Sequence, residues 1–193
     1  MESKRTLQKK QTREKIKRTA YQIYSERGFG VTTAELAKSA GISHGSIFVH
    51  FSTLDMLFEE LISDFGHTLT SEMHDLSEEN GNIKELLVAY VKILSHHEAF
   101  YIQLICQRNL LPESAQLTVA NIQSTAAFHF NRVLAQEMKQ NNVKLLPVHM
   151  LFNTWLGLLH YYLSNKDLFA PNEALLPRYR SELIETYLTL IHK

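Results

Sequence analysis

From about Thr6 to Arg27 the apolar positions Ile16, Ala20, Ile23 and Tyr24 fall at i, i+4, i+7 and i+8, which lays one buried stripe along a helix. Gly28 ends that pattern. Thr32-Thr33-Ala34-Glu35 then reads as a capping box: the Thr32 hydroxyl accepts the Glu35 amide proton while the Glu35 carboxylate reaches back. A short helix follows, with Leu36, Ala37 and Ala40 inward and Gly41 as its stop. Ser43 is placed to cap a second short helix, in which Ile47 and Phe51 stand about one turn apart on the buried side. Ser52 and Asp55 make another capping-box-like start, and a long helix runs from there to about Asp75. Residues 78–82 read as a loop. Helices are expected over about 83–95, 97–109, 114–140, 147–165 and 176–191, with breaks at Leu111-Pro112, at Asn141-Asn142 and around Pro171. No segment reads convincingly as a strand, so the pattern predicts an all-α chain of about nine helices.

Composition narrows the class. Seven glycines and four prolines in 193 residues favour long helices over a β-sandwich or barrel. A composition of 45% hydrophobic and 21% charged residues is that of an ordinary globular domain. No run of about 18 apolar residues exists to span a membrane. The opening MESKRTLQKKQTREK has no apolar segment and does not read as a secretion signal. Cys106 is the single cysteine, which excludes an intrachain disulfide and points to a reducing cytoplasm. Adjacent His96 and His97 point about 100° apart on a helix, and among the C-terminal helices no histidine, carboxylate or thiol pair at i, i+4 stands out as a metal site. No nucleophile elbow, phosphate loop or dinucleotide fingerprint is present, so neither metal nor cofactor nor enzyme chemistry is expected.

A net charge of zero hides an asymmetry. The first thirty residues carry nine basic and three acidic side chains, so they stand at +6 and the remainder at −6. A basic end on an acidic body suggests a polyanion partner at that end. Two short helices joined by Ala40-Gly41-Ile42-Ser43 have the dimensions of a helix-turn-helix, whose second helix fits the major groove of DNA. Between Lys38 and Lys84 there is no lysine or arginine, so electrostatic attraction must come from Lys4 to Arg18. Within that run Lys9, Lys10, Arg13 and Lys17 fall along one side of the first helix. Backbone amides at the starts of the two short helices can add uncharged phosphate contacts.

The matching residues Ile16, Ala20, Tyr24, Gly28-Phe29, Thr32, Leu36-Ala37, Ala40-Gly41-Ile42-Ser43, Gly45, Ile47-Phe48, His50-Phe51 and Leu57 are in register with a known pattern. Over Ile16 to Leu57 the chain resembles the N-terminal domain of the tetracycline-repressor (TetR) family of bacterial regulators. The resemblance implies a helix-turn-helix DNA-binding domain over residues 1–52 and a larger helical ligand-binding and dimerisation domain over 53–193. It further implies a homodimer on double-stranded palindromic operator DNA, repressing transcription until a small-molecule effector enters the C-terminal domain. Thr32 or Thr33 would then hold phosphate, while Ser43, His44, Gly45, Ser46, Val49 and His50 would lie in or near the groove. Phe48 and His50 occupy positions from which the family usually reaches the backbone. Phe48 stands where tyrosine is common and Leu54 where lysine is common, so two phosphate donors are missing. The interval from Gly28 to Leu36 is one residue short of the usual one, which leaves Thr32 and Thr33 as alternatives.

The acidic run of eight carboxylates over residues 55–79 reads as a solvated helix face, of a charge that would keep DNA from that side. The C-terminal helices carry many aromatics, which serve either as core or as a ligand cage. Phe100, Gln103, Gln107, Phe128, His129, Phe152 and Trp155 are the pocket candidates, with an apolar effector preferred. Leu151, Leu158 and Tyr162 on one stripe and Leu183, Tyr187 and Leu190 on another are the dimer candidates, though packing within one chain explains them as well. A second reading is a helical small-molecule or protein-binding protein whose helix-turn-helix no longer reads DNA.

Overall fold

The computed structural model describes residues 3–78 and 81–193. Among them are ten α-helices: α1 (Lys4–Arg27), α2 (Thr33–Ala40), α3 (His44–His50), α4 (Leu54–Glu78), α5 (Ile83–His96), α6 (Glu98–Cys106), α7 (Glu113–Lys139), α8 (Val148–Ser164), α9 (Lys166–Phe169) and α10 (Leu175–Ile191). A 3-10 turn at Arg108–Leu110 follows α6. The all-α expectation holds. The additional helix is the four-residue α9, inside the stretch expected to be a break. The expected loop at 78–82 includes Glu79 and Asn80, which lie outside the described residues. Asn82 instead caps α5 through a reciprocal pair with Glu85, a capping box with asparagine in the serine position.

Two of the expected caps are made differently. Thr53, not Ser52, caps α4, its hydroxyl accepting the Met56 amide at 3.2 Å. Ser43 precedes α3 in an extended conformation but makes no side-chain cap; its hydroxyl pairs with that of Ser46 at 2.7 Å. A hydroxyl at the third helical position competes successfully for the cap.

The chain forms two compact units. The first takes the residues up to Asp64 together with Ala99–Val119, and so reaches beyond the expected 1–52 segment into α4, α6 and the start of α7. Ile16, Ala20 and Tyr24 line the buried side of α1 as the period requires. They meet Leu36, Ala37, Ile47, Phe51, Leu57 and Phe58, all buried. Tyr24, Phe29 and Phe58 pack ring against ring at 4.9–5.9 Å, and Phe100 joins Phe29 at 6.0 Å and Tyr21 at 4.5 Å. Burying each such side chain contributes roughly 1.5–3 kcal/mol. Gly28 turns the chain at φ 78°, and the Gln107 amide lies where a Cβ would sit, its Oε1 accepting the Phe29 amide at 2.9 Å.

The second unit takes Phe65–Glu98 and Ala120–Lys193. Here α10 packs chiefly on α5 and α8. Trp155 and Tyr187 sit 5.3 Å apart at its centre, and the Tyr187 hydroxyl donates to the Leu151 carbonyl at 2.8 Å. Two buried carboxylates serve helix starts. Glu98 accepts the Leu175 and Leu176 amides at 2.8 and 2.7 Å, and Glu137 accepts the Ile83 amide at 2.7 Å. No helix of the described residues is long and apolar enough to cross a membrane.

Two consequences are measurable. Gly28→Ala forces a Cβ to within 2.3 Å of the Gln107 amide at a left-handed φ, and should lower unfolding free energy by about 1–3 kcal/mol in urea melts. Burial lowers the His160 pKa from 6.5 to about 4. Between those values the unfolded chain binds the extra proton, so this stability is full above pH 6.5 and is lost as pH falls toward 4. The loss is on the order of 3 kcal/mol at most, and His160→Gln should flatten the acid limb of a Tm-against-pH curve.

Candidate nucleic-acid interface

The seven residues of α3 alternate between two duties. Ile47 is fully buried, as is Phe51 just beyond the helix, and these anchor it. His44, Gly45, Phe48 and Val49 point outward, with Val49 at 69% exposure on a helix devoid of charge. Gly41 closes α2 in the left-handed region at φ 63°, its amide donating to the Lys38 carbonyl at 3.1 Å, and so sets the corner between the two short helices.

Thr32 and Thr33, the two alternatives for a phosphate contact, differ in their hydrogen bonding. The Thr32 hydroxyl accepts the Glu35 amide at 3.3 Å and donates to the Glu35 carboxylate at 2.8 Å, so both its roles are filled. The Thr32 amide and Arg27 hold the Glu35 pKa down to about 2, keeping that cap charged. Thr33 instead faces the reader: its hydroxyl meets His44 Nε2 at 2.8 Å, linking the first turn of α2 to the first residue of α3. The His44 ring stands edge-on to Phe48 at 5.4 Å. Thr33, His44 and Phe48 are thus joined in one surface group, while Ser46 pairs with Ser43 and Val49 is exposed elsewhere on the helix.

His50 is half-buried, and its Nδ1 is enclosed without a hydrogen-bond partner. Burial, then the charges of Lys9 and Arg13, hold its pKa below the ordinary histidine value, so the ring is neutral near pH 7.

The four basic candidates on α1 divide into two pairs. Lys9 and Lys10 are exposed, and among the described residues neither enters an ion pair. Arg13 and Lys17 turn inward to α4. Arg13 donates to the His50 carbonyl at 2.5 Å, pairs with Glu60, and lies 4.0 Å above the Phe51 ring. Lys17 is largely covered and pairs with Asp64 at 2.5 Å and Glu60 at 3.8 Å. Their i, i+4 spacing from Lys9 was legible, but the carboxylates of α4 that claim them come from more than forty residues away. Lys15 is a cation that the face assignment passed over. It is exposed, with its ammonium 3.7 Å from where a Cβ on Gly41 would sit.

The remaining candidates separate by unit. Phe100, Gln103 and Gln107 belong to the first, where Gln103 donates to the Ser25 carbonyl at 3.4 Å and Gln107 braces the turn at Gly28. Phe128, His129, Phe152 and Trp155 belong to the second. Phe128 is 62% exposed, His129 bonds Ser77 at 2.9 Å, and Phe152 and Trp155 lie in the core. Of the dimer candidates, Leu151, Leu183 and Tyr187 are buried within their own chain, because the facing stripes of α8 and α10 pack on each other. Leu158 and Tyr162 are half-buried and Leu190 is exposed. The open face of α8 is instead Met150, Thr154, Gly157 and Tyr161, spaced i, i+4, i+7, i+11.

Residues 16–61 match the sequence model of bacterial regulatory proteins of the tetR family. A curated relative, the HTH-type transcriptional repressor KstR2 of Mycobacterium tuberculosis, is 29% identical over 82 residues. That match spans 40% of this chain and 41% of the relative, about two-fifths of each. The solved structure of the ketosteroid transcriptional regulator KstR2 from Mycobacterium tuberculosis shares the fold at TM-score 0.76 and 18% identity, covering 94% of this chain and 95% of that one. The regulator FadR of Bacillus subtilis, solved in complex with stearoyl-CoA, does so at TM-score 0.75 and 16% identity, covering 93% and 99%. Over residues 16–61 the chain thus matches the sequence pattern of the tetR family of bacterial regulatory proteins, and along nearly its whole length it shares the fold of these solved regulators.

Proposed function

We propose that this chain is a homodimeric, cytoplasmic transcriptional repressor that binds a palindromic operator through α3 and is released by a small-molecule effector. The observation that carries this reading is the surface of α3. A helix too short to be stable alone is anchored by Ile47 and Phe51, and presents hydroxyl, imidazole and apolar groups with no charge of its own. Such groups suit base edges: hydroxyls and neutral imidazoles exchange hydrogen bonds with them, and Val49 suits a thymine methyl. Lys9 and Lys10, with Lys15 beside the turn, supply the attraction to phosphate.

The effector is small and largely apolar. The buried carboxylates of the second unit, Glu98 and Glu137, are already bound to backbone amides, which leaves the interior of these helices poor in free charge. Effector binding favours a dimer in which the paired α3 helices no longer match successive major grooves, about 34 Å apart. The dimer forms through the open face of α8. Gly157 has no neighbour within 4 Å of where its Cβ would sit, so its own chain leaves room there for a second copy.

Selection of bound duplexes from fragmented genomic DNA of the source organism should return a few fragments sharing an inverted repeat. The salt dependence of binding should correspond to roughly 3–6 phosphates neutralised per dimer. A correctly folded dimer that enriches no sequence would favour the second reading, a helical binding protein with a silent reader. The wild-type chain should sediment at twice its 22.3 kDa mass, whereas Gly157→Glu should give a folded monomer with operator binding lost. A dimeric Gly157→Glu protein would move the interface elsewhere.

A further inference from the structure

We propose that the Arg13–Glu60 ion pair is a truss that positions the reading helix, so that Arg13 serves the geometry of the reader and is not itself a phosphate contact. This rests on the reading of α3 as the operator-binding helix. The Arg13 guanidinium joins three elements. One nitrogen donates to the carbonyl of His50, the last residue of α3, at 2.5 Å. Another pairs with Glu60 of α4, and the guanidinium carbon lies 4.0 Å from the centre of the Phe51 ring. The last carbonyls of a helix have no partner within it and carry partial negative charge, so a cation bonded there satisfies an acceptor and stabilises the end. One planar fork makes these contacts together, whereas the compact ammonium of a lysine would have to choose among them.

One turn further along α1, Lys17 repeats the arrangement with Asp64 at 2.5 Å and Glu60 at 3.8 Å, and its side chain is 15% exposed. The four side chains sum to zero charge. A cation already matched by a carboxylate neutralises little phosphate charge and so displaces few of the counterions condensed on DNA, and it adds little to the salt dependence of binding. The acidic face of α4 therefore acts on the reader itself. It leaves Lys9 and Lys10 as the phosphate-facing pair and fixes the angle from which α3 meets the groove.

The two roles for Arg13 differ in the sign of a single variant. If Arg13 were a phosphate contact restrained by Glu60, Glu60→Gln would free it, tightening DNA binding and steepening the salt slope. As a truss, Glu60→Gln and Arg13→Gln should each reduce the ratio of specific to non-specific affinity by about tenfold at unchanged slope, and the double variant should be no worse than either. Arg13→Lys should recover only part of the loss. The probes are the tightest duplex of about 30 bp recovered from a random-sequence library and a scrambled duplex of the same composition. The measurements are made where each variant retains full helical circular dichroism. Tighter binding by Glu60→Gln, or a slope reduced by about two per dimer in Arg13→Gln, would overturn the truss.

Amide exchange in the free protein separates this proposal from the DNA reading. In Arg13→Gln, the amides of Ile47–Phe51 should exchange at least about tenfold faster while those of α10 are unchanged. Unchanged exchange at Ile47–Phe51 overturns the truss whether or not DNA binds. Faster exchange in a protein that selects no duplex keeps the truss and removes the operator.

Discussion

A helix of seven residues cannot hold its own shape in water, and the orientation of α3 rests on what is buried beneath it. Ile47 and Phe51 carry that burden, each fully enclosed against the core that α1 and α2 build. Roughly 1.5–3 kcal/mol from each side chain is enough to fix a helix whose intrinsic tendency is to unwind. The outward residues are thereby freed from filling the core. That is why His44, Phe48 and Val49 can be large, uncharged and exposed without harming the fold.

Electrostatics then allots tasks along α1. Its basic residues lie on one long helix, but their surroundings differ by the turn. Near the N-terminus Lys9 and Lys10 are exposed, and a charge there acts at long range on anions in solution. Arg13 and Lys17 face the carboxylates of α4, where attraction is local and directional. Burial, then the charges of Lys9 and Arg13, hold the His50 pKa below the ordinary histidine value. A chain with no net charge can in this way carry exposed cations at one end of a helix and matched ion pairs further along it.

Much of this was legible before any coordinates. The buried stripe of α1, the capping box at Thr32 and Glu35, and the Gly41 corner follow from spacings of a few residues, and all three stand as read. The missed features share one property: the partner is remote in sequence or several local partners compete. Ser43 and Ser52 look like caps, yet Ser46 and Thr53 are equally near and prevail. Of the apolar stripes on α8 and α10 that suggest a surface between copies, Leu151, Leu183 and Tyr187 are buried within one chain, while Leu190 stays exposed.

What the sequence by itself determined is local: where helices begin and turn, which face of each is apolar, and that the reader carries no charge of its own. Those properties are set by hydrogen bonds and steric limits within about four residues, which the order of amino acids states directly. Only the tertiary structure decided which Thr of the pair meets His44, which cations of α1 remain free, and which face of α8 is left open. Each of those depends on a group brought alongside by folding, and periodicity along one helix carries no information about what faces it.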